Sequence, residues 1–596
     1  MSAPPAPPAL QALDATALRA VLAELRPLLL PSRFEDAQQS DERTLQLGLR
    51  SLSGSHWLEL SWLAEAPRLL AIPAPPRQGE GSTLARQLQH GLRGLALVAL
   101  RQQGWERVVE LGFAGRPCEP ERRTLVLELM GRHSNLFLLD ENRQVIALAR
   151  QVRQNQSRLR PIGTGDAYTP PPPMAGDEPR PDAAAASWRR RVALLPLPLK
   201  RALPAAYQGV SPALVRQLCD GITPSSDLAG TPLAERSVQA LDEADWQALH
   251  RRWRTWLTAV QAEHFRLRPI AGGGWCCWDG TEEEAAGLDA PPPLAINSGL
   301  AAYYAGRLGQ RQRQQRRAAL EQRLRQALER EQALAEHQQA LLDAVPAGVG
   351  LREQADALLS QSAPDRQAID EAQKLYRRAR KLRRSTEQIT PRLEAHRQRI
   401  EALEASLTYL EQADDDADLA GLEEDLGALL EPGRSRSRDP GSNRDRGARS
   451  GGGRSERRQR REGEPVPLEL RSPSGLRLQV GRNHRQNEWI SLRQARRGDL
   501  WFHAQELPGS HVVLKASEQP AAEVDLQAAA DLAAHFSRGR GNRRVPVLMV
   551  AVEELQRIPG ATAGTVRHRG GTVLWAEPGR APDLLPAPNL REAGEP

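Results

Sequence analysis

The sequence predicts a multidomain α+β protein, and three observations carry that expectation. At 596 residues and 65.7 kDa the chain exceeds what one hydrophobic core ordinarily supports. Strand-like alternation lies towards both ends, whereas the middle holds apolar residues at heptad spacing. A run beginning at Pro432, PGRSRSRDPGSNRDRGARSGGGRSERRQRREGEP, has almost no apolar side chain and cannot build a core.

Residues 1–175 are expected to form an α+β domain. The amphipathic helix DATALRAVLAELRPLLL opens it; TLQLGLRSL, HWLELSW, RVVELGF, TLVLELMG, SNLFLLD and QVIALAR follow as strands, up to the rigid YTPPPP break. Residues 184–268 read as a helix-hairpin-helix module. In YQGVSPALVRQLCDGI, Gly209 supplies a turn, Ser211 an N-cap and Pro212 a first helical position. An ordinary helical subdomain accounts for the same spacing.

Residues 269–430 read as a middle domain with a long antiparallel coiled-coil arm, its helices at 303–345 and 371–412. One seam is Leu320, Ala327, Leu334 and Leu341, with Leu324 and Val345 beside it; the other is Ile389, Leu393, Ile400, Leu403, Leu407 and Leu410. Helices of about 40 residues make an arm roughly 60 Å long at 1.5 Å per residue. The tip is expected near 346–384 as a charged, non-periodic segment carrying Lys374, Arg377, Arg378, Arg380, Lys381, Arg383 and Arg384. Such a run is either a solvated helix face or a reach towards an anionic surface. A disordered Arg-rich linker at 431–463, a C-terminal α/β domain at 464–580 and a tail at 581–596 complete the order. The last domain begins with strand LRLQV, loop GRNHRQNE and strand WISL, and later holds the helix DLQAAADLAAHF.

Composition bounds the function. Lys+Arg 81 against Asp+Glu 74 gives a net charge of +7, which favours polyanionic partners. Nearly all the cations are Arg, in a chain rich in Ala, Leu, Gly and Pro; this reflects GC-rich coding and lowers the weight of Arg-richness. Cys118, Cys219, Cys276 and Cys277 have no CxxC spacing, which argues against structural zinc or a disulfide scaffold. Neither a leader nor an apolar run of about 18 residues is present, so a cytoplasmic protein without a membrane partner is expected.

The stretch DLWFHAQELPGSHVVLK, Asp499 to Lys515, concentrates chemistry around one turn. Pro508 and Gly509 suit a type II turn. Period-two parity puts Leu500, Phe502, Val512 and Leu514 on one face, as core, and Asp499, Trp501, His503, His511 and Lys515 on the other. A Ser510-His511 triad is disfavoured because adjacent strand residues point apart and no G-x-S-x-G elbow is present. A metal site of His503, His511 and Asp499, a structural role for the histidines, and an RNA-binding face stay open. In the last reading Trp501 stacks on a base, while His503, Ser510, His511 and Lys515, with Arg482, His484 and Arg485 from GRNHRQNE, meet the backbone. No catalytic constellation and no cofactor are expected.

GRNHRQNEWISLRQARRGDLWFHAQELPGSHVVLK resembles the C-terminal domain of the RqcH/NEMF family of ribosome-associated quality-control factors, and ELMGRHSNLFLLDENRQVI resembles its N-terminal domain. The hairpin module, NSGLAAYYAG and the order of the parts agree with it. The resemblance implies a factor that binds large ribosomal subunits, their RNA and proteins, with peptidyl-tRNA still attached. It further implies recruitment of alanyl-tRNA for tailing of stalled chains, peptide-bond chemistry being left to ribosomal RNA. By the same match the family's Asp-Arg pair falls on Glu106-Arg107, where the acid is one methylene longer. Glu128, Leu129 and Met130, with Arg132 and His133, fall in its tRNA-contacting region, and the arm tip becomes a ribosome contact.

Two other classes compete. Bacterial members carry an older fibronectin-binding label; the missing leader argues against a surface adhesin and against fibronectin as a partner. The N-terminal domain with its hairpin module is similar to formamidopyrimidine-type DNA glycosylases, but Met1-Ser2-Ala3-Pro4 lacks their Pro-Glu start.

Overall fold

The computed structural model describes residues 10–77, 82–155, 157, 160–222, 231–270, 273–278, 295–343, 347–360, 365–413, 415–430, 465–558 and 563–585. The expected linker at 431–463 and most of the tail lie outside them. The chain divides into two compact units, Met1–Gly309 and Gln310–Pro596.

In the first unit the alternating segments become a nine-stranded antiparallel sheet of order β4-β3-β2-β1-β5-β6-β7-β8-β9. Its strands are β1 (Ser32–Asp41), β2 (Thr44–Ser51), β3 (Gly54–Ser61), β4 (Arg68–Ile72), β5 (Ala96–Gln102), β6 (Val108–Ala114), β7 (Arg123–Glu128), β8 (Asn135–Leu139) and β9 (Val145–Leu148). Helix α1 (Ala15–Leu29), capped by Asp14 accepting from Ala17 N, lies on this sheet. Its outer side is also covered: Trp256 Nε1 donates to Thr16 Oγ1 at 3.1 Å, so the helix is buried nearly all round.

The hairpin module follows as α2 (Thr83–Leu92) in the sheet domain gives way to α3 (Ala185–Val192), α4 (Leu199–Ala206), α5 (Pro212–Cys219) and α6 (Glu243–Gln261). Ser211 caps α5 as its spacing predicts, accepting from Leu214 N at 3.0 Å. The turn does not face solvent. Ser211 Oγ donates to the buried Asp14 at 2.6 Å, and Gly209, at φ +73°, lies so close to Trp105 that a Cβ would sit 2.7 Å from the indole. Glycine is required there for space as well as conformation. Trp105, Trp188, Trp246, Trp253, Trp256 and Trp278 share the module's core, and a short antiparallel pair, β10 (Arg268–Ile270) with β11 (Gly274–Cys276), follows α6.

In the second unit the heptad seam is buried at Leu320, Leu324, Ala327, Ile389, Leu393, Leu403 and Leu410, but Leu334 and Leu341 are exposed. The paired helices are α7 (Ala295–Asp343), which begins in the first unit, and α9 (Arg366–Glu411). They run antiparallel, with His396 Nδ1 2.6 Å from Glu331 and Arg397 donating to Gln339 at 3.2 Å. The intervening segment is not irregular as expected: it contains α8 (Ala347–Leu359), packed on α9 through Ala355 and a Tyr376–Asp356 hydrogen bond. Val345 lies outside the described residues. Helix α10 (Asp416–Leu430) follows α9.

The C-terminal sheet has the order β12-β13-β15-β14-β16-β19. These are β12 (Leu468–Arg471), β13 (Arg477–Val480), β14 (Leu500–Ala504), β15 (Val512–Leu514), β16 (Val545–Ala551) and β19 (Thr572–Ala576); a separate pair is β17 (Leu555–Arg557) with β18 (Val566–His568). One face packs on α12 (Glu523–His535), whose Ala528, Ala529, Ala530, Ala533 and Ala534 allow close approach. GRNHRQNE and WISL are neither loop nor strand. Asn483 caps a short helix, α11 (His484–Glu488), and Trp489–Arg493 continues it as a π-helical turn that seats Ile490 against Trp501.

The sheet of the first unit also encloses an ion pair. Glu128, 1% exposed, accepts from Arg160 Nη1 at 2.8 Å and Nη2 at 2.6 Å and from Tyr168 Oη at 2.9 Å. Replacing Arg160 by alanine leaves that carboxylate buried without its counter-ion, a loss of about 3–5 kcal/mol. Denaturant unfolding is expected to show that loss, and Glu128→Gln combined with Arg160→Met to restore most of it; an unchanged midpoint in Arg160→Ala would exclude this account.

Candidate functional site

The first-unit residues divide by exposure. Glu128 and Leu129 are buried, so their side chains cannot meet an RNA, and Glu128 serves the ion pair with Arg160 instead. Met130 is half-buried, while Arg132 and His133 are exposed in the turn Gly131–His133, with Arg132 Nε 3.0 Å from His133 Nε2. Glu106 and Arg107 sit in the turn entering β6. They do not form the expected pair: Glu106 Oε1 accepts from Met174 N at 2.7 Å, a reach the longer acid permits. The half-buried Arg107 guanidinium has no hydrogen bond or ion pair among the described residues. Its charge does act on Asp14, whose carboxyl burial pushes up despite the Ser211 and Ala17 hydrogen bonds. Leu129 N donates to Arg107 O at 2.9 Å, so Arg107, Arg132 and His133 gather at one end of the sheet.

In the second unit the predicted parity holds: Leu500 pairs with Leu514, Trp501 with Val513 and Phe502 with Val512. The predicted exposure does not. Trp501 is 3% exposed, packed with Ile490, Val513 and Val550 beneath the α11 segment, so it offers no open stacking face. Asp499 is fully buried and accepts from Lys515 Nζ at 3.1 Å, Ser517 Oγ at 2.6 Å and Arg496 N at 2.8 Å. Burial alone would raise that carboxyl; the Ser517 and backbone donors and Lys515 outweigh it and hold it below the usual range. Asp499 is therefore committed to the hairpin, and Lys515, 4% exposed, to Asp499 and Gln494 O. A metal site using Asp499 is excluded by these donors.

The Ser510-His511 pair does not form either, since His511 Nδ1 lies 2.8 Å from Ser491 Oγ and the buried Ser510 hydroxyl has no hydrogen-bond partner among the described residues. Nor is the turn of type II: the left-handed residue is Glu506, at φ +56°, and Gly509 is small because a Cβ would lie 2.7 Å from Ser537. The cations of GRNHRQNE are neutralised by α10. Arg482 pairs with Asp418, and Arg485 with Glu424 and, at 3.5 Å, Asp425. His484 is buried, its Nε2 2.9 Å from both Ser406 Oγ and Ala402 O.

What these residues build is a cavity of about 740 Å³ lined by Trp501, His503, His511, Tyr409, Leu548 and His568. Tyr409 Oη donates to Gly509 O at 2.9 Å and accepts from Asn487 Nδ2 at 2.8 Å. Tyr409 and Asn487 escaped sequence reasoning; a tyrosine beside a leucine seam, in SLTYLEQ, was the available signal. The lining carries Glu401, Glu404 and Glu506 and no Arg or Lys, so this is a neutral-to-acidic hollow rather than a phosphate cradle.

On α9, Arg377, Arg380, Lys381 and Arg384 line a shallow depression of about 410 Å³, Lys374 lies 3.4 Å from Glu371, and Arg378 is exposed. The Arg383 side chain is outside the described residues.

Burial holds His503 down to about 4 and His511 well below the usual imidazole value. The unfolded chain takes up protons at these positions below about pH 6.5 while the folded chain does not, so stability is full above that pH and falls as pH drops through it. Amide exchange in β14 and β15 is expected to be faster at pH 5 than at pH 7 after correction for intrinsic rates, and His511→Gln to flatten that dependence. Equal protection at both pH values would show that these rings are charged when folded.

Residues 14–364 and 362–440 match the NFACT N-terminal and middle domains, and residues 469–570 match the NFACT protein RNA binding domain. The Rqc2 homolog RqcH of Streptococcus suis is 25% identical over 606 residues, spanning 95% of this chain and 98% of its own. Its counterpart in Bacillus subtilis is 37% identical over 114 residues, 19% of this chain and 20% of its own. A solved structure of the C-terminal part of the fibronectin/fibrinogen-binding protein from Streptococcus suis aligns at TM-score 0.36 and 25% identity, over 46% of this chain and 98% of that one. No described helix is long and apolar enough to cross a membrane. With N-terminal, middle and RNA-binding domains matched in order along most of its length, the chain belongs to the NFACT family.

Proposed function

We propose that this chain acts in ribosome-associated quality control, binding large ribosomal subunits that retain peptidyl-tRNA and presenting alanyl-tRNA for C-terminal tailing of the stalled chain. The observation that carries the reading is the match to RqcH relatives over 95% of the chain, with an RNA-binding domain at its end. The Arg107 guanidinium, without a hydrogen bond or ion pair among the described residues and close to exposed Arg132 and His133, supports it locally, because a planar fork with free donors suits phosphate or a base edge.

In this reading the protein positions and the ribosome reacts. Trp105, wedged against Gly209, and Glu106, tied to Met174 N, hold the turn that presents Arg107. Bond formation is assigned to ribosomal RNA. The cationic side of α9, a helix of 46 residues or about 69 Å at 1.5 Å per residue, supplies point charges for ribosomal phosphates.

Purified protein is expected to sediment with free large subunits in preference to intact ribosomes or small subunits. Uniform recovery across the gradient at moderate salt would remove the reading. Arg107→Ala is expected to keep subunit binding but to cut tRNA recruitment and tail addition at least tenfold. Mass spectrometry of stalled chains decides this: alanine tails of undiminished length and abundance would take Arg107 out of the mechanism.

A further inference from the structure

Cross-strand pairing places His503, Leu548 and Val573 on one face of the C-terminal sheet, through the pairs His503 with Leu548 and Leu548 with Val573. Trp501 and His511 belong to this face and are covered. Trp575, two residues beyond Val573, belongs to it too and is not: it is 62% exposed and Val573 44%. Trp575 is the one aromatic side chain among the exposed large hydrophobics of the described residues. It stands on β19, the last strand in the sheet order, just past residue 570 where the matched RNA-binding stretch ends.

The charge around it is arranged to match. Arg540 and Arg543, in the segment leading into β16, are exposed and have no ion-pair partner among the described residues. Pro546, three residues after Arg543, pairs with Trp575, so these cations stand at the indole's end of the sheet. Arg567 and Arg569, leading into β19 at Thr572, are likewise exposed and unpaired at the opposite end. Between the two pairs run the five residues of β19, about 14 Å at 3.4 Å per residue, room for a few nucleotides. Glu401 and Glu506 on the cavity rim, without an ion-pair partner among the described residues, repel phosphate, which leaves the β16–β19 side as the track for an anionic backbone.

We infer that this strip is a binding site for single-stranded RNA, with Trp575 as the platform on which a base stacks and Arg540, Arg543, Arg567 and Arg569 as its phosphate contacts. An exposed indole between cations combines the two terms such sites use, sequence-tolerant stacking and electrostatic tracking. The inference rests on the reading of residues 469–570 as RNA-binding and extends it to a strand that the match does not cover.

The full chain is titrated into a fluorescent single-stranded 12-nucleotide oligouridylate and, separately, into a 12-base-pair RNA duplex, with anisotropy as the readout. Trp575→Ala is expected to weaken single-strand binding roughly 5- to 100-fold, Trp575→Phe to keep most of the affinity, and both to melt like the parent because the side chain is exposed. Arg543→Ala and Arg567→Ala are each expected to reduce the slope of log affinity against log salt by about 0.7. A parent that binds oligouridylate while Trp575→Ala stays within twofold of it overturns this site and leaves the domain's RNA-binding reading intact. Loss in Trp575→Phe equal to that in Trp575→Ala overturns stacking as the role of Trp575. A parent that binds neither probe overturns the domain reading and this site together.

Discussion

A carboxylate taken out of water has to be met by donors or it costs several kcal/mol. Three such groups organise this molecule. Asp14 joins the start of α1 to the hairpin serine far along the chain, Glu128 ties β7 to Arg160 and Tyr168, and Asp499 closes the β14–β15 hairpin over Lys515 and Ser517. None of the three is free to act on a ligand. Each instead fixes a turn close to groups that reach solvent: half-buried Arg107 near Asp14, exposed Arg132 and His133 after Glu128, and the cavity edge beyond Asp499. The site chemistry is thus displaced by a few residues from the acids that position it.

Most of the fold's periodicity was legible in the sequence, because alternation and capping are local. Six of the nine strands of the first sheet (β2, β3 and β6 to β9), the Ser211 cap and the facing of Leu500, Trp501 and Phe502 follow from spacing within a few residues, whereas β1, β4 and β5 do not stand out. What covers a face is not local. Parity put Trp501 opposite the core, yet the helical segment from His484 to Arg493 lies over it, and that segment read as loop and strand because Trp489, Ile490 and Leu492 mimic a short buried strand. The family resemblance assigns Glu128 to a tRNA-contacting region, and local spacing gives no sign of its burial against Arg160, 32 residues away in sequence. The cations of GRNHRQNE failed in the same way, since the acids that neutralise them belong to α10.

The helix at the arm tip escapes local patterning for a different reason. Ala and Arg carry little periodic contrast, so AGVGLREQADALL has a weak signature, and its burial against α9 rests on small contacts such as Ala355. Leu334 and Leu341, at ideal heptad spacing, are exposed. Spacing specifies which residues share a stripe, and the stripe is buried only where the partner helix also presents apolar groups.

The close approach of Gly209 to Trp105 has a spectroscopic consequence. Trp57, Trp62, Trp105, Trp188, Trp246, Trp253, Trp256, Trp275 and Trp278 all fall in Met1–Gly309, leaving Trp489, Trp501 and Trp575 for the rest of the chain. Several of the first group lie with ring centroids about 5 Å apart, as Trp253 and Trp256 do at 4.9 Å. Nine of the twelve indoles therefore belong to the first unit, so an emission-monitored melt of the intact protein is weighted towards that unit's unfolding, with Trp489, Trp501 and Trp575 left to report on the second.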